Sequence, residues 1–298
     1  MQHMAENVMS QAVIANRSKP IEAVVRRVTE ISTLPHIALK VIGVAKDPDS
    51  GAADLKAVVE GDPALGARVL RMVNSAAYGV RATVNNLQQA ISYLGFNQVR
   101  NLALTASVSS LFRKNEACGT YQRSRLWRHL VSVGIGARLV ARRCKLPSFE
   151  DAFLAGLLHD IGIVFEDQHM HAQFRRVIAE IAEENTLSDV EKKHLGFDHC
   201  MLGAAVADAW QFPAHVRAAI RFHHASYGYR DEDSAIVRCV EIANVICTLK
   251  GITSVGKRLV KPPLDTFQAM GFQKEDVFIL ATDLDQELAM SESLFEMG

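Results

Sequence analysis

Histidine is the residue type in this chain with the most chemistry to offer. The 298 residues include eleven histidines, and nine of them lie between His129 and His224. Imidazole is neutral or charged near pH 7, so it can move protons or bind a metal through a ring nitrogen. His159-Asp160 follows the apolar run Phe153-Leu154-Ala155-Gly156-Leu157-Leu158. An aspartate beside such a run is costly to bury unless something neutralises it. A divalent cation would do so, and mixed nitrogen and oxygen donors suit iron, manganese or zinc. A His–Asp pair can equally cap a helix and bond to neighbouring helices, so the pair alone does not decide. His129 stands inside Trp127-Arg128-His129. His199 is followed by Gly203, which lets another helix approach on that face. His223-His224 is a doublet. Singly, a helical histidine is usually a core or surface residue; the order and spacing of these five positions point to a metal site.

The elements that would carry them are helices. Amphipathic spacing predicts a helix over Ile21 to Ile31, another over His36 to Ala45, and a short one over Asp54 to Glu60. Asp62-Pro63 pairs an N-cap with an N1 proline. Asn86 can cap Leu87 to Leu94, with Gly95 closing it, and Asn97 can cap a further helix to Phe112. A long helix is expected over Tyr121 to Cys144, and one over Glu150 to Asp160 that stops at Gly162. Ser188-Asp189-Val190-Glu191 has capping-box form. Asp198 can cap His199 to Trp210, Pro213 opens the helix carrying His223-His224, and Ser234 to Leu249 is the last well-marked helix. Strand-like alternation is absent, so the fold class expected is all-α. Residues 1–20 form an N-terminal extension, 21–118 a helical subdomain, 119–250 a second helical subdomain and 251–298 an acidic helical segment. Asn74 to Gly79 is expected to be structural, with Tyr78-Gly79 as a turn.

These motifs together resemble a known family. The order His129, His159-Asp160, His199, His223-His224 looks like the HD superfamily of metal-dependent phosphohydrolases. Leu34-Pro35, Asp62-Pro63-Ala64-Leu65, Asn74-Ser75-Ala76-Ala77-Tyr78-Gly79 and Ala90-Ile91-Ser92-Tyr93-Leu94-Gly95 resemble its HDOD (HD-related output domain) branch. So do Trp127-Arg128-His129, Ala155 to Gly162, and Gly196-Phe197-Asp198-His199 with Trp210 and Pro213. The resemblance implies an N-terminal helical bundle packed against an HD-type helical core, and a bacterial signalling role as an output or scaffold module. Carried over residue by residue, it implies one metal held by His129, His159, Asp160 and Asn244, and a second held by Asp160, His199, His223 and His224. Asn244 departs from the carboxylate of catalytic relatives, because an amide oxygen is a poorer ligand. Ile163 stands where related hydrolases present a lysine to phosphate. Ala225 follows the doublet in place of their glutamate, and Tyr227-Gly228-Tyr229-Arg230 only echoes their Gly-Tyr-Pro signature.

The function expected is therefore a non-catalytic signal-transduction output or scaffold protein that acts through protein contacts and binds a metal. The alternative is a metal-dependent phosphohydrolase for a nucleotide or cyclic dinucleotide, with Arg128 or a neighbour in the basic stretch gripping phosphate. A third class, nucleic-acid binding through a helix-turn-helix-like arrangement at Leu94-Gly95-Phe96, is disfavoured by zero net charge and by how common glycine is in packing turns. The charge is unevenly spread. Arg100 to Lys145 has ten Lys/Arg against Glu116 alone, Glu150 to Cys200 has eleven acids against four bases, and Asp265 onward has eight acids against Lys274. Either these segments face each other or the basic one meets an anionic partner. No apolar run is long enough to span a bilayer, no apolar leader precedes Lys19, and five scattered cysteines include no Cys-x-x-Cys pair. A cytoplasmic location is expected, with signalling proteins as partners, no membrane, and a nucleotide as a conceivable ligand.

Overall fold

The computed structural model describes residues 21–30, 36–47, 49–75, 78–80, 83–114, 116–182, 184–260 and 262–296. The expected extension 1–20, Leu34-Pro35 and Ala76-Ala77 lie outside the described residues. Helix follows helix: α1 (21–30), α2 (His36–Lys46), α3 (Ala52–Glu60), α4 (Pro63–Val73), α5 (Leu87–Leu94) and α6 (Phe96–Val108). Two of the caps expected in the first half form as the sequence suggests. Asp62 accepts from the Leu65 N–H at 3.0 Å, and Asn86 accepts from the Gln89 N–H at 2.9 Å. The Asn97 cap does not form, because α6 already starts at Phe96 with Gly95 (φ +85) before it. The Asn74 side chain acts as a clamp. Its Oδ1 accepts from the Val84 N–H, and its Nδ2 donates to the Val84 carbonyl, both at 2.8 Å.

The second half is built on α7 (Arg123–Arg143), preceded by a short antiparallel pairing of Ala117–Cys118 with Tyr121–Gln122. That pairing is the only sheet among the described residues. Then come α8 (Phe149–Leu158), α9 (Ile161–His169), α10 (His171–Glu180), α11 (Leu187–Leu195), α12 (His199–Ala209), α13 (Ala214–Phe222) and α14 (Ser234–Leu249). The acidic end supplies α15 (Leu264–Ala269), α16 (Lys274–Met290) and α17 (Glu292–Phe295). The protein is all-α. Helix α7 is the central rod, with α8, α14, α16 and α17 against it. Most of its side chains from Leu126 to Ala141 are buried. Among the described residues no helix is long and apolar enough to cross a membrane.

Three local expectations are corrected. Gly162 does not stop a helix: α8 ends at Leu158, the chain turns at His159-Asp160, and Gly162 lies inside α9. Helices α9 and α10 were not expected at all. Helix α9 is buried from Ile161 through Asp167, so no polar face marks its period. The capping residue of α11 is Thr186, which accepts from the Asp189 N–H, rather than Ser188.

The uneven charge resolves into facing helices. Arg138 on α7 lies between Glu150 and Glu287, Arg143 bonds Asp276, Arg100 pairs with Asp151 at 2.9 Å, and Lys250 pairs with Asp285 at 2.7 Å. Where α9 crosses α12 the helices nearly touch. A Cβ on Gly162 would stand 2.0 Å from the His199 carbonyl oxygen, and a Cβ on Gly203 would meet the Gly162 backbone at 3.2 Å. The sequence expectation for Gly203 therefore holds, and its partner is Gly162. Gly162→Ala should push α12 away and lower stability by about 1–3 kcal/mol, the usual cost of overpacking. Urea denaturation measures this, and an unchanged midpoint would rule out so close a crossing.

Candidate metal centre

The turn between α8 and α9 delivers Asp160 to a place where four imidazoles converge. His129 comes from the first third of α7, His159 from the turn itself, His199 from the start of α12, and His223 from the end of α13. All five residues are buried. Each carboxylate oxygen faces two rings. Oδ2 lies 3.5 Å from His129 Nε2 and 3.3 Å from His159 Nε2. Oδ1 lies 3.4 Å from His199 Nε2 and 3.1 Å from His223 Nε2. His224 Nε2 stands 3.2 Å from His199 Nε2, on the exposed side.

The opposite nitrogen fixes each ring. Nδ1–H donates to the Ile252 carbonyl from His129 (2.9 Å), to the Gly156 carbonyl from His159 (2.8 Å), and to the Ala219 and Ile220 carbonyls from His223 (3.1 Å each). His199 donates from Nδ1 to Glu191 Oε2 at 2.7 Å, and its backbone N–H donates to the same oxygen at 2.9 Å. A carbonyl can only accept, so His129 and His159, when neutral, turn an unprotonated Nε2 towards Asp160. Acceptors then face acceptors. Among the described residues no hydrogen bond satisfies His129 Nε2, His159 Nε2 or Asp160 Oδ1. Two ligands at about 2.0–2.2 Å from one ion lie roughly 3.0–3.5 Å apart, which matches these separations. The residues present fit a metal. His129, His159 and Asp160 form one donor group, and His199, Cys200, His223 and His224 form another.

The electrostatics lean the same way. Burial opposes ionisation of Asp160, but the imidazoles of His159, His129 and His223 outweigh it and hold its carboxyl well below the ordinary range. Burial lowers His159 to about 4 despite Asp160 beside it. Burial also works against His223, yet Cys200 and Asp160 raise it to about 10. Burial pushes the Cys200 thiol up, and His199 and His223 pull it below its usual value. The core thiol of Cys247, with no such neighbours, is pushed up to about 12. Behind His199, burial and then Glu191 raise Glu166 well above a normal carboxyl.

A cavity of 630 Å³ opens onto this centre, with Asp160, His199, Cys200, His224 and Asn244 in its wall. Asn244 is buried on α14 and its Oδ1 accepts from Thr248 at 3.4 Å. Arg128 is elsewhere: it is exposed on α7, its guanidinium stacked 4.7 Å above the Phe295 ring. Sequence reasoning missed two participants. Cys200 was counted only as a scattered thiol, although its place beside His199 at a helix start was a usable signal. Glu191 was assigned to a cap, whereas its carboxylate holds His199.

Asp160→Asn is expected to lower the metal bound, most at the half formed with His129 and His159, read by elemental analysis after loading with iron, manganese or zinc. An ion must displace the proton that His223, raised to about 10, carries, so the apparent affinity should weaken as pH falls. The change should be about tenfold per pH unit for each proton displaced. A pH-independent affinity between 6 and 8 would argue against histidine ligation.

Comparison with known proteins agrees with the fold. The HDOD domain matches residues 31–226. An HDOD domain protein of unknown function from Geobacter sulfurreducens superposes with a TM-score of 0.76 at 26% identity, covering 93% of this chain and 97% of its own. A candidate signal transduction protein from Marinobacter aquaeolei VT8 gives 0.74 at 23% identity, with 95% and 65% covered. A candidate phosphohydrolase from Shewanella amazonensis SB2B gives 0.72 at 24% identity, with 92% and 97% covered. An uncharacterized protein of Treponema pallidum (strain Nichols) is 25% identical over 234 residues, which are 76% of this chain and only 44% of that protein, so the chain spans less than half of this relative's length. With the HDOD domain matched over most of its length, the chain belongs to the HDOD family.

Proposed function

We propose that the protein is a signal-transduction output module acting through protein contacts, with a metal centre that is structural or sensory rather than hydrolytic. The observation that carries this reading is Ile163. It stands where the resembled hydrolases present a lysine to phosphate, and here its side chain is fully buried in the core. Two cations in the cavity wall are already engaged. Lys192 pairs with Asp198 at 2.9 Å, and Lys257 donates to the Ile181 carbonyl. Phosphoester hydrolysis needs a cation on the developing phosphorane charge, and losing one such contact costs about 10²–10³ in rate. A metal bound here supplies Lewis acidity. His129, His159, Asp160, His199, His223 and His224 would hold it. Asn244 is the one neutral amide carried over with them, and it weakens the half that includes His129 and His159. Two solved relatives of this fold, one a candidate signal transduction protein and one a candidate phosphohydrolase, agree that the fold by itself does not choose.

One observation favours the second reading, a metal-dependent phosphohydrolase. The cavity reaches Asp160, His199 and His224, and the exposed Arg221 stands in its wall. A nucleotide could enter there with its phosphate towards the centre.

The two readings separate in one experiment. Protein loaded with iron, manganese or zinc is assayed against an activated phosphodiester and a cyclic dinucleotide. We expect turnover no higher than with the metal alone, while Asp160→Ala lowers the unfolding midpoint of the loaded protein. Robust turnover that disappears in Asp160→Ala with the fold intact would instead make the protein an enzyme.

A further inference from the structure

The donors on the two sides of Asp160 differ in kind. On the Oδ2 side they are His129 and His159, nitrogen and oxygen chemistry throughout. On the Oδ1 side a sulfur joins them. Cys200 Sγ lies 3.4 Å from His199 Nε2 and 3.9 Å from His223 Nε2. Its hydrogen-bond contacts are these two rings. His224 Nε2 completes the group, 3.2 Å from His199 Nε2, and the four donor atoms all lie within 4.8 Å of one another. A zinc ion with sulfur at about 2.3 Å and nitrogen at about 2.0–2.1 Å in tetrahedral geometry sets sulfur and nitrogen roughly 3.5 Å apart and two nitrogens roughly 3.3 Å apart. The sulfur–nitrogen separations of 3.4 and 3.9 Å lie on either side of the first value, and the nitrogen pair at 3.2 Å lies close to the second.

The fold aims the thiol there. Cys200 is the second residue of α12, an eleven-residue helix whose N-cap is Asp198. A helix N-terminus favours a thiolate. Asp160 Oδ1, buried and without a hydrogen bond, points into the same space. His199 cannot turn away, because Glu191 holds both its Nδ1 and its backbone N–H. Cys118, Cys144, Cys239 and Cys247 join neither donor group among the described residues.

We propose that His199, Cys200, His223 and His224 form a thiolate-containing site for one soft divalent ion, zinc or iron(II), distinct in preference from the nitrogen and oxygen half at His129, His159 and Asp160. This assignment rests on the metal-centre reading above and narrows it. Thiolate ligation selects zinc, iron(II) or cobalt(II) over magnesium and manganese. A soft ion therefore fills the Cys200 half first.

Cobalt(II) tests the assignment, because a thiolate ligand gives a near-ultraviolet charge-transfer band that nitrogen and oxygen ligands do not. Chelator-stripped full-length protein is titrated with cobalt(II) and its spectrum recorded, alongside Cys200→Ser and Asp160→Asn. The wild type should show the band at the first equivalent. Cys200→Ser should lose it while keeping the native circular dichroism and some bound cobalt. Should Cys200→Ser fail to fold, X-ray absorption at the zinc edge of zinc-loaded wild type decides, with a sulfur neighbour at about 2.3 Å expected. Cobalt bound in an Asp160-dependent way without the band, or a zinc shell of nitrogen and oxygen alone, overturns the thiolate assignment and leaves the metal centre standing. No cobalt retained by the wild type overturns both.

Discussion

One buried carboxylate organises the second half of this protein. Asp160 is charged, enclosed and ringed by imidazoles whose outer nitrogens are all committed elsewhere. Its negative charge can be kept in the interior only if positive charge arrives with it, as a metal ion or as protons on the rings. The placing of four elements follows from that need. Helix α7 must bring His129, in its second turn, to the α8–α9 turn, α12 must start beside α9, and α13 must end there. The crossing of Gly162 and Gly203 serves the same end, since any side chain at Gly162 would occupy the space of the His199 backbone.

Around this centre the remaining polar groups act as fasteners between helices. Arg100 and Asn101 on α6 reach Asp151 and Glu150 at the start of α8, which fixes the first-half helices to the second. The α7 arginines meet acids from α8 and α16. Trp127 Nε1–H donates to the Leu294 carbonyl and ties α17 down. Zero net charge thus conceals a partition in which basic and acidic helices complete one another, and three cations of the basic stretch, Arg100, Arg123 and Arg138, are buried in the molecule.

Much of this was legible in the residues. Caps at Asp62, Asn86 and Asp198 and the apolar spacing of α4 and α7 mark their helices directly. The histidines and Asp160 were legible as a set because their order along the chain resembles a known pattern, even though no single one of them is informative. What stayed hidden has a common cause. Helix α9 is enclosed on all sides and so shows no amphipathic period. The role of Glu191 depends on α11 lying against the start of α12, a tertiary fact its local sequence does not contain. Cys200 was obscured by being counted with four thiols that do not join it. Arg128 was the reverse case: adjacent to His129 in sequence, it lies on a different, exposed face of α7 because a helix turns successive residues about 100° apart.

The segment after α14 has a consequence of its own. It runs along the cavity wall through Ser254, Val255, Lys257 and Leu259. Three stitches hold it there: the Ile252 carbonyl to His129, the Val255 carbonyl to the Thr120 hydroxyl at 2.7 Å, and Lys257 to the Ile181 carbonyl. The matched family region stops at residue 226, before Asn244 and this strap. The stretch matched as the HDOD domain is therefore shorter than the stretch that encloses the centre. A fragment cut at that boundary would leave His129 without the carbonyl that sets its tautomer, and would open one wall of the chamber to water.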